Sequence, residues 1–376
     1  MKVLLLIVRF IVGTLFIFSG LIKANDPLGL SYKMQEFFEV WNIHWLDQFT
    51  LALSICMIVF EILAGVAVLL GWKMKFFSWL LLLLIVFFTF LTGYAYFSGK
   101  IKECGCFGNC IPLTAGESFA KDLALLILIL FLFAFRGKIK PFLPRLYNLT
   151  ILFFSVVFSF SIQWYVLEYL PVVDCLPFKV GVNIYEQTKP PPGSVQDSTV
   201  ISFVYSKNGK EVEFTADRFP ADFDDSYKFV KRYDKQIRKG NAESAIKDFT
   251  LVTASGNDTT LDLLNRKGYT LFMFAKEIPD PNPSWNREFA VILSFVKMKN
   301  MTIYFITAHT DQVENYFVKN NITDHVQILK CDVTAIKTAA RADPTLYLLK
   351  QGTILNKWSH ADFESAIGEI NSLPVQ

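Results

Sequence analysis

Long apolar stretches dominate the first 170 residues of this 376-residue chain. A helix needs roughly 20 residues to cross a hydrocarbon core of about 30 Å. Five stretches approach or exceed that length, namely residues 3–22, 49–72, 76–97, 119–135 and 149–170. In the fourth, Lys121 and Asp122 lie near one end, where headgroups can solvate their charges. The pattern therefore predicts five transmembrane helices.

The rest of the chain begins with a hairpin signal. Strands at 200–205 and 212–214 flank Asn208-Gly209, a dipeptide typical of a type I′ turn, which needs positive φ at both central positions. Residues 226–239 follow with a helical pattern, and Gly240 is a suitable residue to end that helix. The segment is thus predicted to be a β-hairpin followed by a helix.

Beyond this segment, short strands alternate with helices. A second hairpin is predicted from 249–252 and 259–261. Further strands are predicted at 269–274, 301–307, 326–330, 345–350 and 354–358, and helices at 285–297, 311–320, 333–341 and 363–372. Alternating units with short connections indicate a layered α/β domain.

Two proline clusters separate the halves. Pro171 and Pro177 bracket the first, and Pro190-Pro191-Pro192 form the second, a composition typical of a semi-rigid spacer. The predicted organisation is a four-helix transmembrane domain at 1–147, a fifth transmembrane helix at 148–170, a linker at 171–195 and a soluble domain at 196–376.

Charge density supports this division. Residues 1–170 hold 22 charged side chains, whereas residues 171–376 hold 49. The net charge of +3, without any run of five or six like charges, leaves no electrostatic footprint for nucleic acid.

Basic residues predict the orientation. Segments 1–2, 73–75 and 136–148 carry seven Lys or Arg in 18 positions, against five in the 51 positions of the intervening loops. Because basic loops stay in the cytoplasm, the N-terminus is predicted to be cytoplasmic, and residues after 170 to be periplasmic, in a bacterial inner membrane. A cleaved signal peptide is the alternative for residues 1–22, but Arg9 interrupts that stretch and no small-x-small site follows it.

Cysteines are distributed according to this topology. Four lie on the outer side, where disulfides are stable: Cys104, Cys106, Cys110 and Cys175. They allow three complete pairings, among which the sequence does not choose. Cys56 in the second span and Cys331 at a strand end are interpreted as packing residues.

The loop at 103–114 places Cys104, Cys106 and Cys110 within seven positions interleaved with glycine. Three interpretations compete. The cysteines form a structural disulfide, they form a redox-active pair that exchanges electrons with substrate thiols, or they bind zinc with His44 as fourth ligand.

Two charged residues lie inside the predicted spans. Arg9 is six residues, about 9 Å, and Glu61 eleven residues, about 16 Å, from the cytoplasmic ends of their helices. Buried ions are costly and usually paired or functional. One hypothesis is a pair that fixes the first two helices or lines a pocket for a quinone headgroup. The alternative has Arg9 reaching the inner surface and Glu61 protonated against a backbone group.

Part of this pattern resembles the small DoxX-like membrane proteins, and the loop resembles their MauE branch. The matching positions are Arg9, Gly13, Gly20, Lys23, Glu61, Gly65, Gly71 and Cys104-Gly105-Cys106-Phe107-Gly108. Over about residues 1–140, the resemblance implies a four-helix bundle in a family linked to disulfide formation in exported enzymes or to quinone-coupled sulfur oxidation.

Residues 245–374 resemble the thioredoxin fold in its TlpA or thiol-peroxidase style. The matching segments are Asp248-Phe249-Thr250-Leu251, Leu271-Phe272-Met273-Phe274-Ala275 and Pro344-Thr345-Leu346-Tyr347-Leu348. The resemblance implies a cis-proline at Pro344, where exposed backbone of Asp343 and Thr345 would bind an extended peptide.

The chemistry of that fold is missing. Residues 276–285, where its Cys-x-x-Cys would lie, contain no cysteine, so the domain cannot catalyse dithiol exchange alone. His309, His325 and His360 are scattered over different elements and predict no metal site. A purely structural module docked on the membrane half is the alternative to a peptide-binding domain.

Two functions follow. In the first, an inner-membrane protein assists maturation of exported proteins as a thiol–disulfide oxidoreductase, and its loop cysteines pass electrons to a membrane acceptor such as quinone. In the second, the protein is a non-catalytic adaptor or scaffold at the periplasmic face, near export or envelope-assembly machinery. Expected partners are exported or periplasmic proteins, the lipid bilayer and membrane-complex subunits.

Overall fold

The structure, a computed structural model, describes all residues except 102–104, 106, 109, 196–197, 217, 239, 241, 279–282, 323 and 376. Helices make up its first part. They are α1 (Lys2–Ala24), α2 (Pro27–Val40), α3 (Thr50–Leu70), α4 (Met74–Ser98), α5 (Ala115–Ala134) and α6 (Arg145–Glu168).

Among the described residues, four helical segments are long and apolar enough to cross a membrane: Lys2–Ala24, His44–Leu70, Met74–Ser98 and Arg145–Glu168. Helix α5 forms where the fourth span was predicted but begins earlier. Thr114 and Glu117 cap each other, with Thr114 N donating to Glu117 Oε2 at 2.9 Å and Glu117 N donating to Thr114 Oγ1 at 3.3 Å. This capping box brings charged residues into the first turns of α5, and its crossing of the membrane stays a prediction.

Glycines let α1 and α3 cross closely. A Cβ at Gly65 would lie 2.9 Å from the carbonyl oxygen of Gly13, and one at Gly13 would lie 3.0 Å from that of Gly65. A Cβ at Gly20 would meet Ile62 Cγ1 at 2.5 Å. Because small residues at membrane helix crossings permit backbone contact, these glycines fix how the polar residues of the two helices meet.

The segment between α1 and α3, which the sequence predicts to be a loop, contains α2. Asp26 Oδ1 accepts a hydrogen bond from Gly29 N at 2.9 Å, and Pro27 occupies the first helical position. Ser54 Oγ of α3 donates to Pro27 O at 2.8 Å. Helix α2 thus lies across one end of the bundle.

After α7 (Ile184–Thr188), a three-stranded antiparallel sheet has the order β2-β1-β3, formed by β1 (Ser198–Lys207), β2 (Lys210–Thr215) and β3 (Lys228–Arg238). Asn208 and Gly209 turn the hairpin with φ of 51° and 77°. The helix predicted at 226–239 is wrong, because this segment pairs with the free edge of β1. Cross-strand ring contacts such as Tyr205 with Phe229, 5.5 Å between centroids, favour the strand.

A five-stranded sheet has the order β6-β5-β4-β7-β8. Its strands are β4 (Tyr269–Phe274), β5 (Ile303–Thr307), β6 (Val326–Lys330), β7 (Thr345–Lys350) and β8 (Thr353–Ser359). Strands β4, β5 and β6 are parallel, while β7 is antiparallel to β4 and β8 to β7.

Helices cover both faces of this sheet. One face packs on α9 (Asn286–Met298), α10 (Thr310–Lys319) and α12 (Phe363–Ser372). The other packs on α8 (Thr260–Leu264), α11 (Val333–Ala339) and linker residue Phe178. The layered α/β arrangement is therefore present, with β4 at its centre.

The second predicted hairpin is reduced to one bridge, between Val252 and Asp258. Val252 instead exchanges backbone hydrogen bonds of 2.9 and 2.8 Å with Lys330 at the end of β6. Asp258 Oδ1 accepts from Thr260 N at 2.9 Å, which starts α8 where a strand was expected.

Candidate functional site

A disulfide joins the loop between α4 and α5 to the linker after α6. Cys110 and Cys175 are bonded through their sulfurs, with 4.8 Å between the Cα atoms and a separation of 65 positions in sequence. Cys104 and Cys106 lie outside the described residues. In the described part of the chain, no group of three His, Cys, Asp or Glu side chains is placed to hold a metal ion. The bond ties the helical part to the start of the sheet-containing part.

The described part of the loop lies over the end of the bundle. The Phe107 ring is 6.1 Å from that of Phe18 in α1, and Lys121 Nζ of α5 lies 4.9 Å from the Phe107 centroid. A Cβ at Gly108 would be 3.6 Å from Ile22. Phe107, in the described part of the loop, thereby contributes to the lining of a cavity between the helices.

Lys23 and Glu61 form an ion pair in that cavity. Lys23 Nζ donates to Glu61 Oε1 at 2.9 Å and to Oε2 at 2.7 Å, and to Ser19 Oγ at 3.1 Å. The Lys23 and Glu61 side chains are 3% and 4% exposed. From the sequence, Lys23 counts among the charges of the loop after the first span. Its four-residue spacing from Ser19 nevertheless indicates that the two side chains share a face of α1.

Arg9 is not the partner of Glu61. Its guanidinium donates to the carbonyl oxygen of Leu69 at 3.1 Å and lies 4.1 Å from the ring centroid of Phe142. Lys23, near the opposite end of α1, is the cation that pairs with Glu61. The hypothesis that Arg9 pairs with Glu61 is therefore replaced by two separate polar contacts.

A second ion pair lines the same cavity, whose volume is about 170 Å³. Lys121 Nζ lies 2.7 Å from Asp122 Oδ1, and Thr92 Oγ1 donates to Asp122 Oδ2 at 3.1 Å. Phe16, Phe88 and Phe107 supply aromatic walls. Because buried ions need partners to offset desolvation, two neighbouring pairs around one cavity form a built polar site.

The sheet-containing part is docked on the same end of the bundle. Arg341 Nε lies 2.9 Å from Asp26 Oδ1, and the side chains are 5% and 11% exposed. Lys357 Nζ lies 2.7 Å from Asp174 Oδ2. Burial in this contact raises the pKa of Tyr32 to about 12.

Pro344 lies within this docked region. The Asp343-Pro344 peptide is cis. Asp343 accepts hydrogen bonds from Lys276 N at 2.8 Å and Glu277 N at 3.2 Å, and burial raises its pKa although Lys276 opposes the shift. The carboxylate thus holds the loop that follows β4.

The backbone expected to bind peptide beside Pro344 is covered on one side of the proline. Pro344 and Thr345 are buried, and the carbonyl of Pro344 accepts from His360 N at 3.0 Å. Strand β7 is paired on both sides, by β4 and β8. Both edges of β7 are therefore occupied from Thr345 onward, while Asp343 precedes the strand and is half-buried, so peptide binding at Asp343 stays a prediction.

A cleft of about 1000 Å³ opens between the two parts. Helix α2 lines one side, α11 and residues 243–247 line the other, and Cys175 and Pro177 of the linker contribute as well. Its described lining includes four basic and four acidic side chains: Lys33, Lys247, Lys337, Arg341, Glu36, Glu39, Asp47 and Glu243. The cleft is therefore charge-balanced and bordered by a disulfide.

Cys331 has no access to this cleft. It is 5% exposed in the core between the sheet and α11, and burial raises its pKa to about 11. A thiol in such surroundings is a poor nucleophile, which agrees with its interpretation as a packing residue.

This architecture defines a membrane protein in which a bundle of apolar helices precedes a sheet-containing domain. Residues 1–136 match the family of methylamine utilisation protein MauE, so the helical part is a MauE-like membrane domain. Residues 199–239 match DUF8463, a domain of unknown function that corresponds to the three-stranded sheet. No curated protein and no solved structure matches the chain. The MauE resemblance is confirmed, while the DoxX and thioredoxin resemblances stay predictions.

Proposed function

We propose that the protein is an inner-membrane thiol–disulfide oxidoreductase that assists maturation of exported proteins, with Cys104, Cys106 and Cys110 as its relay. The Cys110–Cys175 disulfide beside a large cleft carries the proposal. A disulfide accepts two electrons from a pair of thiols, and this one lies where a polypeptide can reach it. The MauE match supports a maturation role for a membrane protein.

Contacts at one end of the bundle support the predicted orientation. Asn25 after α1 exchanges hydrogen bonds of 2.8 and 2.9 Å with Val173 after α6, and Cys110 before α5 is bonded to Cys175. These helix ends meet at one membrane face only if α5 crosses as well. The basic loops then lie at the other face, so the cysteines and the soluble domain share the periplasmic side.

We assign a quinone as the membrane acceptor. Two thiols become a disulfide and release two protons, and the two electrons, with two protons, convert quinone to quinol. The cavity of about 170 Å³ has the size for one aromatic ring, since benzene fills an apolar cavity of roughly 150 Å³. Lys121 would face a carbonyl oxygen of the quinone, and Phe16, Phe88 and Phe107 would contact the ring.

The soluble domain is proposed to be thioredoxin-like in shape and inactive in redox chemistry. Its support is the order of its sheet, in which a central parallel strand is flanked by β5 and by the antiparallel β7 next to Pro344. The segment after β4 has no cysteine, and Cys331 is buried. The domain would hold partners for the relay rather than exchange electrons itself.

The alternative is an adaptor without catalysis. The observation that favours it is this missing thiol chemistry, together with the buried ion pair between Arg341 and Asp26 that docks the domain. Such a scaffold would bind exported proteins near export or envelope-assembly machinery.

Redox trapping in native membranes separates the two functions. Acid quenching followed by a thiol-specific mass tag reports the loop cysteines, with Cys56→Ser as matched control. A relay predicts loop cysteines that become reduced when the quinone pool is reduced. Single Cys→Ser variants should then accumulate mixed disulfides. If a variant with Ser at Cys104, Cys106 and Cys110 still supports maturation of the exported partners, the relay is excluded and the adaptor function remains.

A further inference from the structure

Cys175 differs from the other cysteines of the proposed relay. It lies outside the MauE-like residues 1–136, on the linker before the soluble domain, yet it is bonded to Cys110 of the MauE-like loop region. Of the two bonded cysteines, Cys175 contributes to the lining of the cleft between α2 and α11. A molecule bound in the cleft therefore has access to the Cys175 side of the bond.

The linker does not need this disulfide to keep its position. Val173 is held by two hydrogen bonds to Asn25, and Asp174 is held by Lys357 at 2.7 Å. The two residues before Cys175 are thus held by polar contacts that do not depend on the Cys110–Cys175 disulfide. A disulfide flanked by such anchors can be reduced and reformed in place.

The cleft suits a polypeptide. Its volume is at the upper end of the roughly 300–1,000 Å³ that ligand pockets span. Lys33 pairs with Glu36 at 2.9 Å, and Lys247 with Glu243 at 2.8 Å, so its charges are balanced on both sides. A single-sign ligand such as phosphate finds no net attraction there, whereas a peptide of mixed charge finds both donors and acceptors.

We infer that Cys175 is the sulfur attacked by a cysteine of an unfolded exported polypeptide that lies in the cleft between α2 and α11. This inference rests on the proposed function and names the site where that function meets its substrate.

The exchange balances as follows. The substrate thiolate bonds to Sγ of Cys175, the Cys110–Cys175 bond breaks, and Cys110 leaves as a thiolate. A second substrate thiolate then bonds to the first substrate sulfur and expels Cys175. The substrate gains a disulfide, and Cys110 and Cys175 are left as a dithiol. The proposed quinone reoxidises this dithiol to the disulfide and takes up its two electrons and two protons to become quinol.

The test compares two variants of the purified full-length protein in detergent. Both carry Ser at Cys56, Cys104, Cys106 and Cys331, and one adds Cys110→Ser while the other adds Cys175→Ser. The probe is a ten-residue peptide of balanced charge whose only cysteine is a 2-thiopyridyl disulfide. Released thiopyridone reports the exchange. The variant that keeps Cys175 should react at least about tenfold faster, because its thiol borders the cleft.

A second measurement tests the cleft itself. In the variant that keeps Cys175, the substitutions Lys337→Ala and Glu36→Ala should lower the rate of exchange with the peptide several-fold. The rate of exchange with the small disulfide 2,2′-dithiodipyridine should stay unchanged. Equal peptide rates for Cys110 and Cys175 would overturn the inference.

The proposed function has a separate readout, which is quinone-dependent oxidation of a dithiol peptide by the wild-type protein. If the wild-type protein shows this oxidation but the two variants exchange at equal rates, only the role of Cys175 is excluded. If the oxidation is missing but exchange is faster at Cys175, the oxidase function is excluded and the cleft site is retained.

Discussion

Lys23 Nζ contacts both carboxylate oxygens of Glu61, at 2.9 and 2.7 Å, across the crossing of α1 and α3. Ser19 Oγ accepts a third hydrogen bond at 3.1 Å, and the Phe88 ring centroid lies 4.9 Å away. The ammonium therefore has a partner in each direction available to its three hydrogens. The pair joins two helices and at the same time lines the cavity beneath the cysteine loop.

Breaking this pair on one side should be costly. Lys23→Met or Glu61→Met alone leaves an uncompensated buried charge and should lower the free energy of unfolding by roughly 3–5 kcal/mol. The double variant should be more stable than either single variant, since it buries no charge. Thermal unfolding in detergent measures all three. Lys33→Met, which breaks a partly exposed pair with Glu36, is the control and should cost about 0–1 kcal/mol. Additive losses in the double variant would contradict the coupling.

The close crossing of α1 and α3 at Gly13 and Gly65 should also be sensitive to substitution. Gly65→Ala places a Cβ 2.9 Å from the backbone oxygen of Gly13, which cannot rotate away as a side chain could. We expect a loss of roughly 1–3 kcal/mol as α1 and α3 move apart. Gly137→Ala, with nothing within 4 Å of its Cβ, is the matched control. Equal melting temperatures for the two variants would show that the helices do not touch here.

Sequence predicted the helices well because crossing a membrane depends on local composition. It missed the Lys23–Glu61 pair because the pairing depends on how two helices cross, which the glycines at 13 and 65 determine. Distances from the cytoplasmic ends of the helices suggest Arg9 as the partner of Glu61. Lys23 instead reaches Glu61 from the other end of α1.

In the second half, the buried strands of the large sheet were predictable because β4 is apolar on both faces. Strand β3 was not, since its exposed residues fit a helical period as well as a strand and only the edge of β1 decides between them. The Cys110–Cys175 disulfide could not be predicted from local sequence either. Three complete pairings were open, and which cysteine bonds to Cys175 depends on tertiary proximity between positions 65 apart in sequence.

Cys331 should be inert in the native protein. Burial raises its pKa from 9.0 to about 11, which lowers its thiolate fraction at pH 8 about 100-fold. In a variant with Ser at Cys56, Cys104 and Cys106, iodoacetamide should label Cys331 readily in urea and very slowly in the folded protein. The raised pKa also contributes stability below pH 9 that is lost as pH rises through 11, because the unfolded thiol ionises first. A native labelling rate equal to that in urea would contradict burial.

Docking of the soluble domain should depend on Arg341 and Asp26. Asp26→Asn keeps an oxygen to cap α2 through Gly29 N but removes the charge opposite Arg341, so it isolates the ion pair from the cap. The docked state should lose roughly 3–5 kcal/mol, because Arg341 stays buried without its partner. Hydrogen exchange should then accelerate in α2 and α11. Glu243→Gln breaks an exposed pair with Lys247 and should change nothing. Unchanged protection in Asp26→Asn would mean that Asp174 with Lys357 and Asn25 with Val173 hold the domain by themselves.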